Sequence, residues 1–122
     1  DSYQTIDGTC VRDYIHVTDI ALAHIESLKY LENKNNKSIA LNLATGKGHS
    51  VLEVLKTIES TYGGKIPYEI AERRKGVSPI VISETLFKNS PIKWKPLQSD
   101  LEVIIKSVLN THNISYQWKK HI

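Results

Sequence analysis

His16 has Asp13 on one side and Asp19 on the other, a set of donors that could ligate a metal or pass a proton. Its setting favours a structural role. His16 falls on the alternating stretch Val11 to Val17, and Thr18-Asp19 stands where a following helix needs an N-cap. Gly46-Lys47-Gly48 could be taken for a phosphate cradle, but it lacks the third glycine of a dinucleotide motif. It also carries Gly48 where a P-loop needs Ser or Thr after the Lys, so it reads as a strand-to-helix turn. Arg12 and Arg74 carry planar, permanently charged forks suited to carboxylates and phosphates; taken alone, each reads as a surface ion-pair former. No Ser/His/Asp order and no carboxylate pair stands out. Cys10 is the lone cysteine, which excludes an internal disulfide and a cysteine-based metal site and fits a reducing compartment.

The bulk properties narrow the function classes. A chain of 122 residues that is 40% hydrophobic is one domain at the small end of the usual range. No run approaches the roughly 20 apolar residues of a membrane span. The start, Asp1-Ser2-Tyr3-Gln4, has neither the basic end nor the apolar stretch of a signal peptide, so the expected compartment is the cytoplasm, with no membrane partner. The net charge is +3, and only Arg73-Arg74-Lys75 forms a tight basic cluster. A nucleic-acid module would show a basic stripe with interleaved aromatics, so nucleic acid is not expected as a partner. Met is absent altogether, which makes a truncated or excised piece the expectation.

The elements that must position these residues are legible in outline. Residues 1–10 read as an irregular lead-in containing the turn dipeptide Asp7-Gly8. A strand over Val11 to Val17 leads to a helix from about Asp19 to Leu31, whose stripe of Ile20, Ala21, Ala23 or His24, Ile25, Leu28 and Leu31 must pack on something. Ser38 to Ala44 reads as a buried strand of a parallel sheet whose partners are not in this sequence. Ser50-Val51-Leu52-Glu53 is a capping box for a second helix that Gly63-Gly64 ends. Pro67 to Glu72 and Pro79 to Ile82 read as short extended pieces, Ser83 as the cap of a brief helix, and Trp94 as the anchor of a Pro-containing link. Ser99-Asp100-Leu101-Glu102 is a second capping box, before a helix marked by Leu101, Ile104, Ile105, Val108 and His112, with a frayed tail beyond Asn113.

The wording of four blocks is more specific than their pattern. Asp7 to Ala21, D-G-T-C-V-R-D-Y-I-H-V-T-D-I-A, resembles the segment that enters the C-terminal half of UDP-glucose 4-epimerases, which are extended short-chain dehydrogenases/reductases. Asn42 to Val54 is similar to that family's N-L-G-T-G-x-G-x-S-V-x-E-V, with Ala44 in place of a Gly. Ile66 to Gly76 resembles its substrate-domain strand and R-R-x-G turn, and Trp94-Lys95-Pro96 with Leu101-Glu102 resembles its closing block. The resemblance covers about residues 1–112.

The resemblance implies an α/β fold: the last Rossmann strand and helices plus a small α/β substrate-binding subdomain, with the N-terminal Rossmann half absent. Residues 1–122 would then be the C-terminal substrate-binding region of such a protein. The implied activity of the intact family is NAD-dependent interconversion of UDP-glucose and UDP-galactose in galactose metabolism, and related UDP-sugar activities share the same motifs. Arg12 and Arg74 match the positions that contact the UDP diphosphate, and Val81 matches a position near the sugar where a larger aromatic is frequent, so a smaller side chain could admit an N-acetylated hexose. Val77 stands where the family has a ribose-binding Asp.

The family's cofactor motif, G-x-x-G-x-x-G, is not found in this sequence, so no NAD is expected on this chain alone. Its catalytic Tyr-x-x-x-Lys has two spacing matches, Tyr30 with Lys34 and Tyr116 with Lys120, in contexts that make both decoys. The expected partners are a UDP-sugar and a complementary N-terminal half or a homodimer partner. The competing expectation is a non-catalytic interaction module or inert remnant with an exposed apolar patch.

Overall fold

The computed structural model describes residues 3–33, 37–84 and 90–111. Its elements follow in the order β1 (Val11–Arg12), α1 (Val17–Glu32), β2 (His49–Ser50), α2 (Val51–Tyr62), β3 (Ile80–Val81) and α3 (Leu101–Thr111). The three strands form one mixed sheet in the order β2-β1-β3. β1 pairs antiparallel with β2, Val11 opposite Ser50, and parallel with β3, Val11 opposite Ile80. No helix among the described residues is long and apolar enough to cross a membrane.

β1 is much shorter than the strand expected over Val11 to Val17. Its ladders last only as long as the two-residue partners on either side, and after Arg12 the chain turns its polar groups to other work. The expected buried strand at Ile39 to Leu43 forms no ladder at all. Leu41 and Leu43 instead pack on a small core of Ala23, Ile92 and Trp94, joined by Ile15 and Tyr30, while Ile39 is exposed. Pro67 to Glu72 likewise pairs with nothing in strand fashion, and Tyr68 and Ile70 face solvent. An alternating sequence supplies the face of a strand, but the hydrogen bonds must come from a neighbour. The brief helix expected after Ser83 and the tail beyond Asn113 lie outside the described residues.

Helix α1 starts earlier than Thr18-Asp19 suggests. Its N-cap is His16, whose Nδ1 accepts from the Thr18 N–H at 3.0 Å. Asp19 is drawn inside instead: the residue is completely buried, and its carboxylate accepts from the N–H groups of Leu97 and Gln98 at 3.1 and 2.9 Å and from Ser99 Oγ at 2.6 Å. Its carbonyl accepts from the Trp94 indole Nε1 at 2.8 Å. Ser99 is therefore not free to close a capping box on α3; Asp100 caps that helix, its Oδ1 accepting from the Glu102 N–H at 3.0 Å. On α2 the expected box is present, with Ser50 and Glu53 bonding reciprocally, and Gly63 ends the helix at φ 79°.

α2 packs on α3, which buries Leu101 and Ile105. The outer stripe of α1 is left open: Leu22, Ile25 and Leu31 are exposed, and Leu28 is 64% exposed. A hollow of about 250 Å³ lies between this helix and the extended segment, bordered by Ser27, Tyr30, Ile39, Leu41 and Leu43 among others.

Gly48 shows how tightly the sheet is drawn. A Cβ there would lie 2.4 Å from Ile82 Cδ1 and 2.5 Å from Val11 Cγ1. The Ile82 methyl can swing away, but Val11 branches at Cβ and sits on the central strand, so its side chain cannot. Gly48→Ala is accordingly expected to cost about 2 kcal/mol by overpacking, measurable as a lower urea midpoint with an unchanged slope.

Candidate functional site

Arg12 sits on the central strand and closes on the segment that feeds β3. Its Nη1 donates to Val11 O at 2.6 Å and to Pro79 O at 3.4 Å, and its Nη2 donates to Ser78 O at 3.0 Å. The Val11 N–H also donates to Pro79 O, at 2.8 Å. In the parallel ladder Arg12 is opposite Val81, and ladder partners direct their side chains to the same face. The structure thus brings two of the three sequence-derived candidates, Arg12 and Val81, side by side. Val81 is exposed.

Arg74 stands four residues before Ser78, on the stretch that leads into β3. It lies in the turn that Gly76 makes at φ 78°, a left-handed conformation open to glycine without penalty. Its neighbour Arg73 holds that turn, donating from Nη2 to Val77 O at 3.2 Å and stacking its guanidinium 4.7 Å over the Tyr3 ring. Arg74 itself is exposed. The consecutive carbonyls of Val77, Ser78 and Pro79 are therefore all held by guanidinium groups, two of them by Arg12 and one by Arg73. Val77, partly buried, contributes only this carbonyl to the network.

The N–H groups that open the glycine turn are engaged within the chain. Asp13 Oδ1 accepts from Thr45 N and Thr45 Oγ1 at 3.0 and 2.6 Å, and Oδ2 accepts from Gly46 N at 2.9 Å. The N–H groups an anion would need are already filled by a carboxylate of the chain itself. The turn thus does not fit the dinucleotide role, and it is not the expected strand-to-helix connection either: the segment before it forms no ladder, and β2 comes between it and α2.

His16 is structural on both nitrogens. Nδ1 caps α1 and Nε2 pairs with Ser107 Oγ at 2.8 Å, while its backbone N–H donates to Ser99 Oγ at 2.9 Å. Among the described residues no cluster of His, Cys, Asp and Glu could hold a metal ion. Of the Tyr-x-x-x-Lys spacings, Lys34, Tyr116 and Lys120 lie outside the described residues; Tyr30 donates its hydroxyl to Lys37 O at 3.3 Å.

Two carboxylates prove central in roles the sequence did not suggest. Asp13 is one; Asp7 is the other, accepting from Thr9 N and Thr9 Oγ1 at 3.0 and 2.8 Å and from Ser50 Oγ. The Ser50 bond, foremost, holds the Asp7 carboxyl below its ordinary range, outweighing its desolvation with help from the Thr9 bonds. The lead-in is thereby stitched to the start of α2. Asp7-Gly8-Thr9 is an Asx-turn signature, and that was its only trace in the sequence.

No family model matches the chain. It is 44% identical over 115 residues to a UDP-glucose 4-epimerase of Rhizobium leguminosarum bv. trifolii, covering 94% of this chain and 35% of that protein. The chain is homologous to the UDP-glucose 4-epimerases. It spans about a third of the length of the epimerases it matches. In structure it matches the epimerase from Stenotrophomonas maltophila, solved with NAD and formylated UDP-arabinopyranose, at a TM-score of 0.83 and 38% identity over 92% of this chain and 33% of that one. It matches the UDP-Glc/GlcNAc 4-epimerase of Campylobacter jejuni at 0.78 and 39%, again over 92% of this chain and 33% of the other. The small sheet and three helices are a part of the epimerase fold, that of an extended short-chain dehydrogenase/reductase.

Proposed function

We propose that this chain is the C-terminal, substrate-side region of a UDP-glucose 4-epimerase-like protein, in which Arg12 and Arg74 grip the diphosphate of a UDP-sugar and Val81 borders the sugar. What supports the reading most is the register of β1 and β3, which sets Arg12 beside Val81 in a chain homologous to epimerases over 94% of its length. Its three bonds to carbonyls use three of the five guanidinium N–H groups of Arg12. Two remain for an anion, held in place by the others, and a guanidinium fork suits a diphosphate better than a lysine does. The small side chain of Val81 leaves space for an N-acetylated hexose, in line with the Campylobacter jejuni relative whose name includes both Glc and GlcNAc.

Relatives are solved with NAD bound, and the resemblance to the family implies that the cofactor would supply hydride exchange at the sugar. Here Asp13 blocks the glycine turn, so the chain's own part is to bind and orient the nucleotide-sugar. A complementary dinucleotide-binding segment or a second copy would then cover the open stripe of α1, and UDP-glucose/UDP-galactose interconversion belongs to that assembly.

The test is thermal unfolding with and without millimolar UDP. At about 100 times its dissociation constant UDP should stabilise the fold by about 2.7 kcal/mol, a rise of roughly 10 °C for a domain of this size. Arg74→Ala should abolish the rise with the starting midpoint unchanged, because Arg74 is exposed. Arg12→Ala should abolish it and lower the starting midpoint, because it also releases the carbonyls of Ser78 and Pro79. No rise in the unsubstituted chain overturns the reading.

A second reading, a non-catalytic interaction module or inert remnant, is favoured by the exposed Ile25, Leu28 and Leu31 on one side of α1. It predicts self-association or obligate partnering without a nucleotide response, and a monodisperse monomer in sedimentation velocity counts against it.

A further inference from the structure

We infer that Tyr3 and Arg73 are positioning residues for Arg74, an inference that rests on the diphosphate reading above. Arg73 and Arg74 are adjacent in sequence but differ in what holds them. Arg73 is pinned at two points, over the Tyr3 ring at 4.7 Å and on Val77 O at 3.2 Å. Those two contacts fix the start of the turn, and Gly76 at φ 78° fixes its end. Arg74 lies between these fixed points with its side chain in solvent.

Tyr3 is itself no loose end. Its N–H donates to Gly8 O at 2.9 Å and its carbonyl accepts from Thr5 N at 2.8 Å. Thr5 Oγ1 donates to Thr9 O at 2.6 Å, and Asp7 ties the same loop to Ser50 at the head of α2. The ring under Arg73 is thus carried by a loop anchored to β1 and α2, the frame that also carries Arg12. The lead-in loop sets the turn relative to the central strand, and so sets Arg74 relative to Arg12. A cation over an aromatic face suits this task, because it fixes position without consuming the donors that Arg73 spends on Val77.

The experiment compares limited trypsin cleavage after Arg74 and Lys75, sites that every variant keeps, with UDP affinity by calorimetry in Tyr3→Leu, Tyr3→Phe and Arg73→Gln. Removing the ring or the cation should speed cleavage in the turn severalfold at an unchanged thermal midpoint, whereas Tyr3→Phe, which keeps the ring, should cleave as the unsubstituted chain does. Tyr3→Leu should weaken UDP about threefold, whereas Tyr3→Phe should bind it as the unsubstituted chain does. Unchanged cleavage in both Tyr3→Leu and Arg73→Gln overturns the inference, as does a Tyr3→Leu chain that binds UDP as tightly as its parent. Faster cleavage in a protein whose unsubstituted form ignores UDP upholds the hold on the turn and removes the nucleotide reading instead.

Discussion

Asp19→Ala is expected to destabilise the chain by about 4 kcal/mol, since hydrogen bonds to a charged group contribute roughly 1.5–3 kcal/mol each and a buried donor left unmet costs more than a shared one. Three donors lose their acceptor together: the N–H groups of Leu97 and Gln98 and the hydroxyl of Ser99. Domains of this size have only about 5–15 kcal/mol in hand, so the variant should unfold close to ambient temperature. Asp19→Asn keeps one carbonyl acceptor but adds a donor where donors already crowd, and it should fall between the two. Burial is the largest single influence on the Asp19 carboxyl and pushes its pKa up. The bonds from Ser99, Leu97 and Gln98, with the nearby His16, outweigh that push, so it titrates below its ordinary 3.8. Because the folded value is the depressed one, Asp19 contributes its stability above the ordinary value and loses it as pH falls through the folded value. Unfolding midpoints followed from about pH 6 to about pH 3 should decline, and Asp19→Asn should remove the part of that decline due to Asp19.

Trp94→Ala should cost a similar amount, about 4 kcal/mol, within the range for a large buried ring cut back to a methyl group. Trp94 is at the centre of the small core with Ala23 and Ile92, and little around it can collapse into the gap, since Leu41 and Leu43 already lean on it from an extended segment. Trp94→Phe separates the two contributions. It keeps most of the apolar contact but loses the bond from Nε1 to Asp19 O, so a loss near 1 kcal/mol above the volume change is expected. Asp19 and Trp94 bind the same link, residues 94–99, to the same turn of α1. The double substitution should therefore cost clearly less than the sum of the single ones, and denaturant titration of all four proteins would measure the coupling.

What the sequence disclosed followed the range of each interaction. The capping box at Ser50 and the end at Gly63 were legible because every partner lies within a few residues. Thr18-Asp19 looked equally local, yet the Asp19 side chain bonds to residues about eighty positions on, and nothing nearby signals it. The second box misled for the same reason, Ser99 being the other end of that bond. Ile39 to Leu43 has the composition of an inner strand, but a ladder needs a neighbour, and among the described residues none is offered. At the candidate site, the spelling of the motif pointed to Arg12, Arg74 and Val81. Spelling could not disclose that Arg12 and Arg73 divide three successive carbonyls between them, because that depends on where β3 lies in space.

Asp7, Asp13 and Asp19 follow one another at six-residue intervals, and each fastens a different later part of the chain: Ser50 at a separation of 43 residues, Thr45 at 32 and Ser99 at 80. During synthesis this imposes a sequence of events. The first two loops can close once residue 50 has left the ribosome, assembling the lead-in, the glycine turn and the head of α2. Asp19 must wait, still hydrated, until Leu97, Gln98 and Ser99 emerge, and with it waits the burial of Trp94. Non-local closure of this kind is slow. A nascent chain would pass through a half-fastened stage with its first two clasps shut and its last one open, which makes the 94–99 link the step that commits the fold.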